Sequence, residues 1–176
     1  MHLRRFERGD FDRLIAAAIS PEFLVQWAGG LFTYPLDIAQ LERYLLTGVG
    51  NPPTSKLFTG LDEAGTAVGH IELTRIDRRN LVASIARVLV FDPYRGQGLG
   101  RQLLTAALRV GFDELNLHRI ELNVFDFNQP AVAAYRRAGM VVEGRLRDTR
   151  KVGDTYWSVY QMSMLADEWR GQPAGR

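Results

Sequence analysis

Cysteine is absent from the sequence. That excludes a disulfide framework, a thiolate zinc site, an iron–sulfur cluster and a cysteine nucleophile, so any redox role would need an outside cofactor. Histidine is sparse: His2, His70 and His118 lie far apart with no HExxH-like spacing, and no metal is expected. No hydrophobic run approaches the length of a membrane span, and the first residues, MHLRRFERGDFDRL, are charged where a signal peptide would be apolar. The expectation is a soluble, cytoplasmic protein without a membrane partner. Charge of one sign is also missing in quantity, since Lys+Arg 22 against Asp+Glu 20 leaves a net charge of +2. Nucleic acid is therefore not an implied partner. Lysine is nearly missing, with only Lys56 and Lys151; this reads as a coding bias toward arginine and carries no functional weight.

What remains is the makeup of a folded domain. The 176 residues, 46% hydrophobic and 24% charged, suit one core, with a single domain over 1–170 and a frayed tail over 171–176. Leu3 to Phe6 opens as a strand, and Asp10 caps a helix carrying Leu14, Ile15 and Ile19 that Ser20-Pro21 ends. After the aromatic-rich FLVQWAGGLFTYPL, Asp37 and Gln40 make a capping-box pair for a helix with Leu41, Tyr44 and Leu45 on one face. Lys56 to Leu61, Val68 to Ile76 and Leu81 to Phe91 then read as an antiparallel meander. Leu99, Leu103, Ala106, Ala107 and Val110 recur at helical spacing. His118 to Phe125 is strand-like, Pro130 to Arg137 is a short helix closed by Gly139, and Met140 to Leu146 and Tyr156 to Met164 are two last strands. The class is α+β with one strand–helix–strand crossover.

The most informative segment is VLVFDPYRGQGLGRQLL, Val88 to Leu104. A strand runs into Arg95-Gly96-Gln97-Gly98-Leu99-Gly100-Arg101, where an amphipathic helix begins. Glycines at such a junction let a phosphate approach the backbone, and the unpaired first-turn N–H groups attract its charge. A Walker A loop would need Lys-Ser/Thr after its last glycine, but Arg101-Gln102 follow Gly100. The dinucleotide fingerprint fails at its third glycine, although Glu121 sits at the spacing of a ribose-binding acid. A diphosphate-like anion remains the expected ligand.

R-x-x-G-x-G at Arg95 to Gly100 resembles the acyl-CoA pyrophosphate motif of the GNAT superfamily of N-acetyltransferases. NVFDFNQPAVAAYRRAGMVVEGRLRD, Asn123 to Asp148, is similar to a stretch of the branch that includes the ribosomal-protein alanine N-acetyltransferases. The likeness spans about Val68 to Trp169, with Ser158 standing where that branch usually has Asp. The resemblance implies a mixed central sheet of about seven strands with a splayed parallel pair, flanked by about four helices. It also implies acetyl-CoA as co-substrate. Val88, Leu89 and Val90 would meet the pantetheine arm through backbone groups, with the Val90 N–H aimed at the thioester carbonyl. Arg95, Gly96, Gln97, Gly98, Leu99, Gly100 and Arg101 would hold the pyrophosphate. Asn128 would touch the cofactor and also cap a helix. Tyr135 would protonate the departing thiolate.

The general base is less defined. An acid often lies five residues before the cofactor asparagine in that branch; here it is Asn123, so Glu72 is the substitute, the alternative being a strand carboxylate paired with arginine or facing solvent. Trp27, Phe32 and Tyr34, with Phe23, would supply acceptor-binding surface, or core. Arg145, Arg147, Arg150 and Lys151 would meet an acidic partner or the 3′-phosphate of CoA, or form a solvated face. An α-amine of pKa about 8 is easier to deprotonate than a lysine near about 10.4, which favours a protein or peptide N-terminus as acceptor. The alternatives are a small amine (polyamine, aminoglycoside or amino acid), a non-catalytic acyl-CoA sensor and an RNA-associated protein. A monomer or homodimer is expected.

Overall fold

The computed structural model describes residues 1–171, so all but the first residue of the expected tail lies outside the described residues. Seven strands form one sheet: β1 (His2–Arg5), β2 (Lys56–Leu61), β3 (Ala67–Asp77), β4 (Val82–Val90), β5 (Arg119–Phe125), β6 (Val141–Val152) and β7 (Thr155–Leu165). Their order is β1-β2-β3-β4-β5-β7-β6, antiparallel except for β4 and β5. Between those two runs the crossover helix α4 (Leu99–Arg109), extended by a π-helical turn at Val110–Glu114. The other helices are α1 (Phe11–Ala17), α2 (Pro21–Ala28), α3 (Ile38–Leu46), α5 (Gln129–Arg137) and α6 (Ala166–Arg170). Among the described residues there are therefore six α-helices rather than about four.

Two of these were not legible as helices. Ser20-Pro21 ends nothing: α1 stops at Ala17, and Ser20 accepts the Phe23 N–H at 3.1 Å while Pro21 takes the first helical position of α2. A serine cap followed by proline is a start signal, because the proline lacks a donor where no helical partner exists anyway. The other is the short α6.

Alternation along the strands sorts side chains to two cores. On one face Leu103, Leu104, Ala107 and Leu108 of α4 pack on Ile71, Leu73, Ile85 and Ile120. On the other, Leu14, Leu24, Trp27, Leu41 and Tyr44 of the first three helices pack on Leu57 and Leu89. With both faces covered, β3 is buried from Ala67 through Leu73, including His70 and Glu72.

Gly69 of β3 lies opposite Val90, and a Cβ there would stand 2.5 Å from the Leu89 carbonyl oxygen and 3.1 Å from Leu103 Cδ2. Backbone cannot yield as a flexible side chain can. Gly69→Ala is expected to destabilise the fold by about 1–3 kcal/mol, read as a lower urea midpoint at unchanged slope; an unchanged midpoint would refute the close approach.

Candidate active site

β4 and β5 pair only at Val82–Arg119, Ala83–Ile120 and Ser84–Glu121. Beyond Ser84 and Glu121 the strands part. The cause lies on the other side of β4: from His70–Leu89 to Glu72–Ala86, β3 advances two residues and β4 three, a bulge carried by Arg87 at φ 53°. Such an extra residue bends and twists its strand locally. Main-chain groups of β4 from Ile85 to Val90 are thereby left without a β5 partner on that edge.

Three adjoining spaces, each sharing lining residues with the next, occupy the gap. The first, about 530 Å³, is lined by Val88, Leu89, Val90, Arg95, Gly96, Gly98, Leu99, Gly100, Arg101, Asn128 and Tyr135, which gathers every expected cofactor residue but one. Gln97 is the exception; it donates to the Pro93 carbonyl at 3.2 Å. Gly96 and Gly98 have φ of +78° and +77° with open space where a Cβ would stand, a conformation that favours glycine. Gly98 is the N-cap of α4 and no side chain caps the helix, so its first N–H groups face a space also lined by Arg95 and Arg101. This is the chemistry of an anion cradle. Arg95 bonds the Val90 carbonyl at 3.0 Å, bracing the loop on the strand end.

A narrow throat of about 60 Å³ follows, lined by Trp27, Arg87, Val88, Asn123, Asn128 and Tyr135 among others. Asn128 accepts the Ala131 N–H at 3.4 Å and so caps α5 while bordering both spaces. Tyr135, on α5, is 8% exposed; burial raises its pKa, and the phenol keeps its proton at neutral pH. Beyond the throat a mouth of about 320 Å³ opens between the end of α2, β4, β5 and β6.

Of the expected acceptor residues, Trp27 borders all three spaces and Phe23 lines the first. Phe32 is a core residue stacked on Trp27 at 5.6 Å, and Tyr34 is an exposed surface ring. Both stand apart from the channel lining. The expectation for Glu72 also needs correction. Its carboxylate is 1% exposed, bordering none of the three spaces, with a hydrogen bond from Arg87 Nε and one from the Tyr44 hydroxyl at 2.7 Å. Burial alone would raise its pKa, but the Arg87 hydrogen bond and charge hold it below the ordinary value. Such a group is a poor proton acceptor. Burial also keeps Tyr44 protonated and His70 neutral, with a pKa of about 3. Since Tyr44 donates to Glu72, the His70 Nε2–H donates to Tyr44 at 2.8 Å. The network ends on Arg87, which lines the throat and the mouth.

Sequence reasoning missed Gln26, Arg75, Arg87 and Thr149 as lining residues, since only the bulges and α2 bring them together. Among the described residues no helix is long and apolar enough to cross a membrane, and no cluster of ligating side chains could hold a metal ion.

The model of the family described as "Acetyltransferase (GNAT) family" matches residues 17–140. Spermidine N(1)-acetyltransferase of Vibrio cholerae serotype O1 is 26% identical over 95% of this chain and 94% of its own. The crystal structure of spermidine N-acetyltransferase from Vibrio cholerae in complex with CoA and spermine is similar with a TM-score of 0.83, at 26% identity over 97% of this chain and 98% of that chain. The SPbeta prophage-derived uncharacterized N-acetyltransferase YokL of Bacillus subtilis is 29% identical over 64% of this chain and 63% of its own length. These two matches of nearly full coverage lie with spermidine acetyltransferases rather than with the ribosomal-protein enzymes that Asn123 to Asp148 resembles.

Glu72→Gln leaves Arg87 as a buried charge without its counter-ion and should cost about 3 kcal/mol or more at neutral pH. Because the folded pKa of Glu72 is lowered, its stabilisation is complete above about pH 4.5 and is lost as pH falls through the folded value. Between about pH 5.5 and about pH 3.5 the urea midpoint of the wild type should therefore fall more than that of Glu72→Gln. Parallel curves would show that the pair contributes nothing.

Proposed function

The chain belongs to the GNAT family of acetyltransferases, and on that premise we propose that it transfers the acetyl group of acetyl-CoA to a small amine. The observation that carries this reading is the run of three adjoining spaces that share lining residues, with the glycine-rich loop and its arginines at one end, Tyr135 in the throat and a separate mouth beyond. Acetyl-CoA supplies an acyl group activated as a thioester. Arg95, Arg101 and the N–H groups at the start of α4 hold its phosphates, and the unpaired edge of β4 from Val88 to Val90 receives its extended arm like an added strand. The Val90 N–H serves as the donor to the oxygen that gains charge during attack.

Tyr135 supplies the proton for the departing thiolate. A thiol of pKa about 8.5 leaves readily, so this acid contributes a modest share of the rate. No carboxylate borders the channel among the described residues, so the acceptor enters as the neutral amine or gives its proton to water. The sequence alone favoured a protein N-terminus as acceptor. The nearly full-length likeness to spermidine acetyltransferases supports the small-amine alternative instead.

Two measurements test this. Tyr135→Phe should bind acetyl-CoA as the wild type does in calorimetry while CoA release with a small amine slows by roughly a hundredfold, at the low end for a general acid. In the wild type, kcat/KM should climb with pH toward the pKa of the amine supplied, and move when an amine of different pKa is used. A plateau at a fixed pH for every amine would mean that a protein group takes the proton. Absence of CoA release with any amine, despite acetyl-CoA binding, would favour the sensor reading.

A further inference from the structure

The mouth beyond the throat has an unusual charge for a site that takes an amine. Arg75, Arg87 and Arg150 line it, and no aspartate or glutamate does. Arg87 is compensated by Glu72. The other two are not. Arg75 comes no closer than 3.9 Å to Glu121, which Arg119 engages at 3.1 Å, and the Arg75 side chain is 70% exposed. Arg150 makes no ion pair or side-chain hydrogen bond among the described residues, whereas its neighbour in the basic run, Arg145, pairs with Asp126 at 2.7 Å.

Arg150 is nonetheless placed. From Leu146–Val159 to Arg150–Trp157, β6 advances four residues while β7 advances two, a bulge in which Asp148 has φ 52° and donates its N–H to Ser158 Oγ at 3.0 Å. Ser158 is thus the anchor of the bulge that sets Thr149 and Arg150 on the mouth. Across from it lies the turn after α2: a Cβ on Gly29 or Gly30 would stand 3.4 Å from an Arg150 guanidinium nitrogen, an ordinary contact distance, so the head sits against that turn. Trp27, beside them, has a buried indole N–H with no partner. Guanidinium and indole groups only donate; together they call for an acceptor with oxygen lone pairs.

We propose that the acceptor carries an oxyanion, a carboxylate or a phosphate, besides its amine, and that Arg150 with Arg75 binds that group at the mouth opposite the phosphate loop. This rests on the acetyl-transfer reading above. The phosphates of CoA do not account for the two arginines, since the loop from Arg95 to Arg101 borders the first space only. A polyamine, cationic at each nitrogen, would meet like charge here with no acid to receive it.

The test uses matched pairs: methionine against methioninamide, and glucosamine 6-phosphate against glucosamine, with spermidine as the polycation. CoA release and calorimetric titration of the CoA-bound protein are both measured. The oxyanion member of at least one pair should be preferred about ten- to hundredfold in kcat/KM and in affinity, as a charge-assisted hydrogen bond allows, and the preferred pair tells carboxylate from phosphate. Arg150→Gln should bring that ratio toward one and Arg150→Glu should invert it, with Arg75→Gln as the second variant and circular dichroism confirming the fold. Equal or better use of the neutral members, spermidine as the best acceptor, or a ratio that survives loss of both arginines would overturn the proposal while leaving acetyl transfer standing. No CoA release with any amine would instead overturn the transfer reading, and the proposal with it.

Discussion

β4 and β5 hydrogen-bond over three residue pairs and then diverge, and everything the site can do follows from that divergence. A parallel pair joined by a crossover helix would ordinarily continue its ladder, because each unpaired buried amide costs free energy. Here the bulge at Arg87 redirects β4 and leaves the strand edge open to the space beside it. Gly69 lets β3 press against β4 at Leu89, supporting the strand from behind where β5 no longer supports it from the side. The apolar layers of the two faces then keep the gap from collapsing.

The electrostatics have two separate parts. The loop end of the channel combines helix N–H groups with Arg95 and Arg101, all donors to an anion. Deep in the sheet, the chain His70, Tyr44, Glu72 and Arg87 is closed on itself, its one carboxylate matched by its one guanidinium. A buried carboxylate held that firmly ionised is poor at taking up a proton, since any gain in basicity would first have to outweigh the Arg87 interaction. The network therefore orients. It fixes a guanidinium on the throat without adding net charge there, and the uncompensated charge of the far mouth comes from β3 and β6 instead.

The glycine-rich loop was legible because it is contiguous: strand, glycines, arginines and helix follow one another in the sequence. Asn128 and Tyr135 lie equally close in sequence, the N-cap and the seventh residue of α5. The mouth was not legible. Its residues come from the end of α2, two bulged strands and β5, and a bulge leaves no mark in a period-2 pattern except an apparent irregularity. Val141–Val152 shows the difficulty: it runs well past the Leu146 at which hydrophobicity ends it, because most of it lies at an exposed edge. Glu72 was misassigned for a related reason. A carboxylate in an apolar strand announces burial or function equally, and only the positions of Tyr44 and Arg87 decide which. Phe32 and Tyr34 show the converse, aromatic residues close in sequence to Trp27 that face the core and the solvent.

This division between a contiguous loop and an assembled mouth bears on how an acceptor is chosen. In the proposed reading the loop would meet the same phosphates whatever amine is used, so its glycines and arginines would be tied to one chemistry. The mouth is built from side chains whose backbone positions are set by bulges and by the Gly29-Gly30 turn. Exchange of a single side chain there changes charge without touching the sheet. A specificity difference of tenfold needs only about 1.4 kcal/mol, which one desolvated guanidinium supplies or withdraws. Two chains can thus share a fold and 26% of their residues while differing in the side chains that line such a mouth. In this chain Ser158 illustrates how small the lever is: with a neutral hydroxyl where the resembled branch has an acid, it fixes the Asp148 bulge, and with it the place of Arg150, while adding no negative charge of its own.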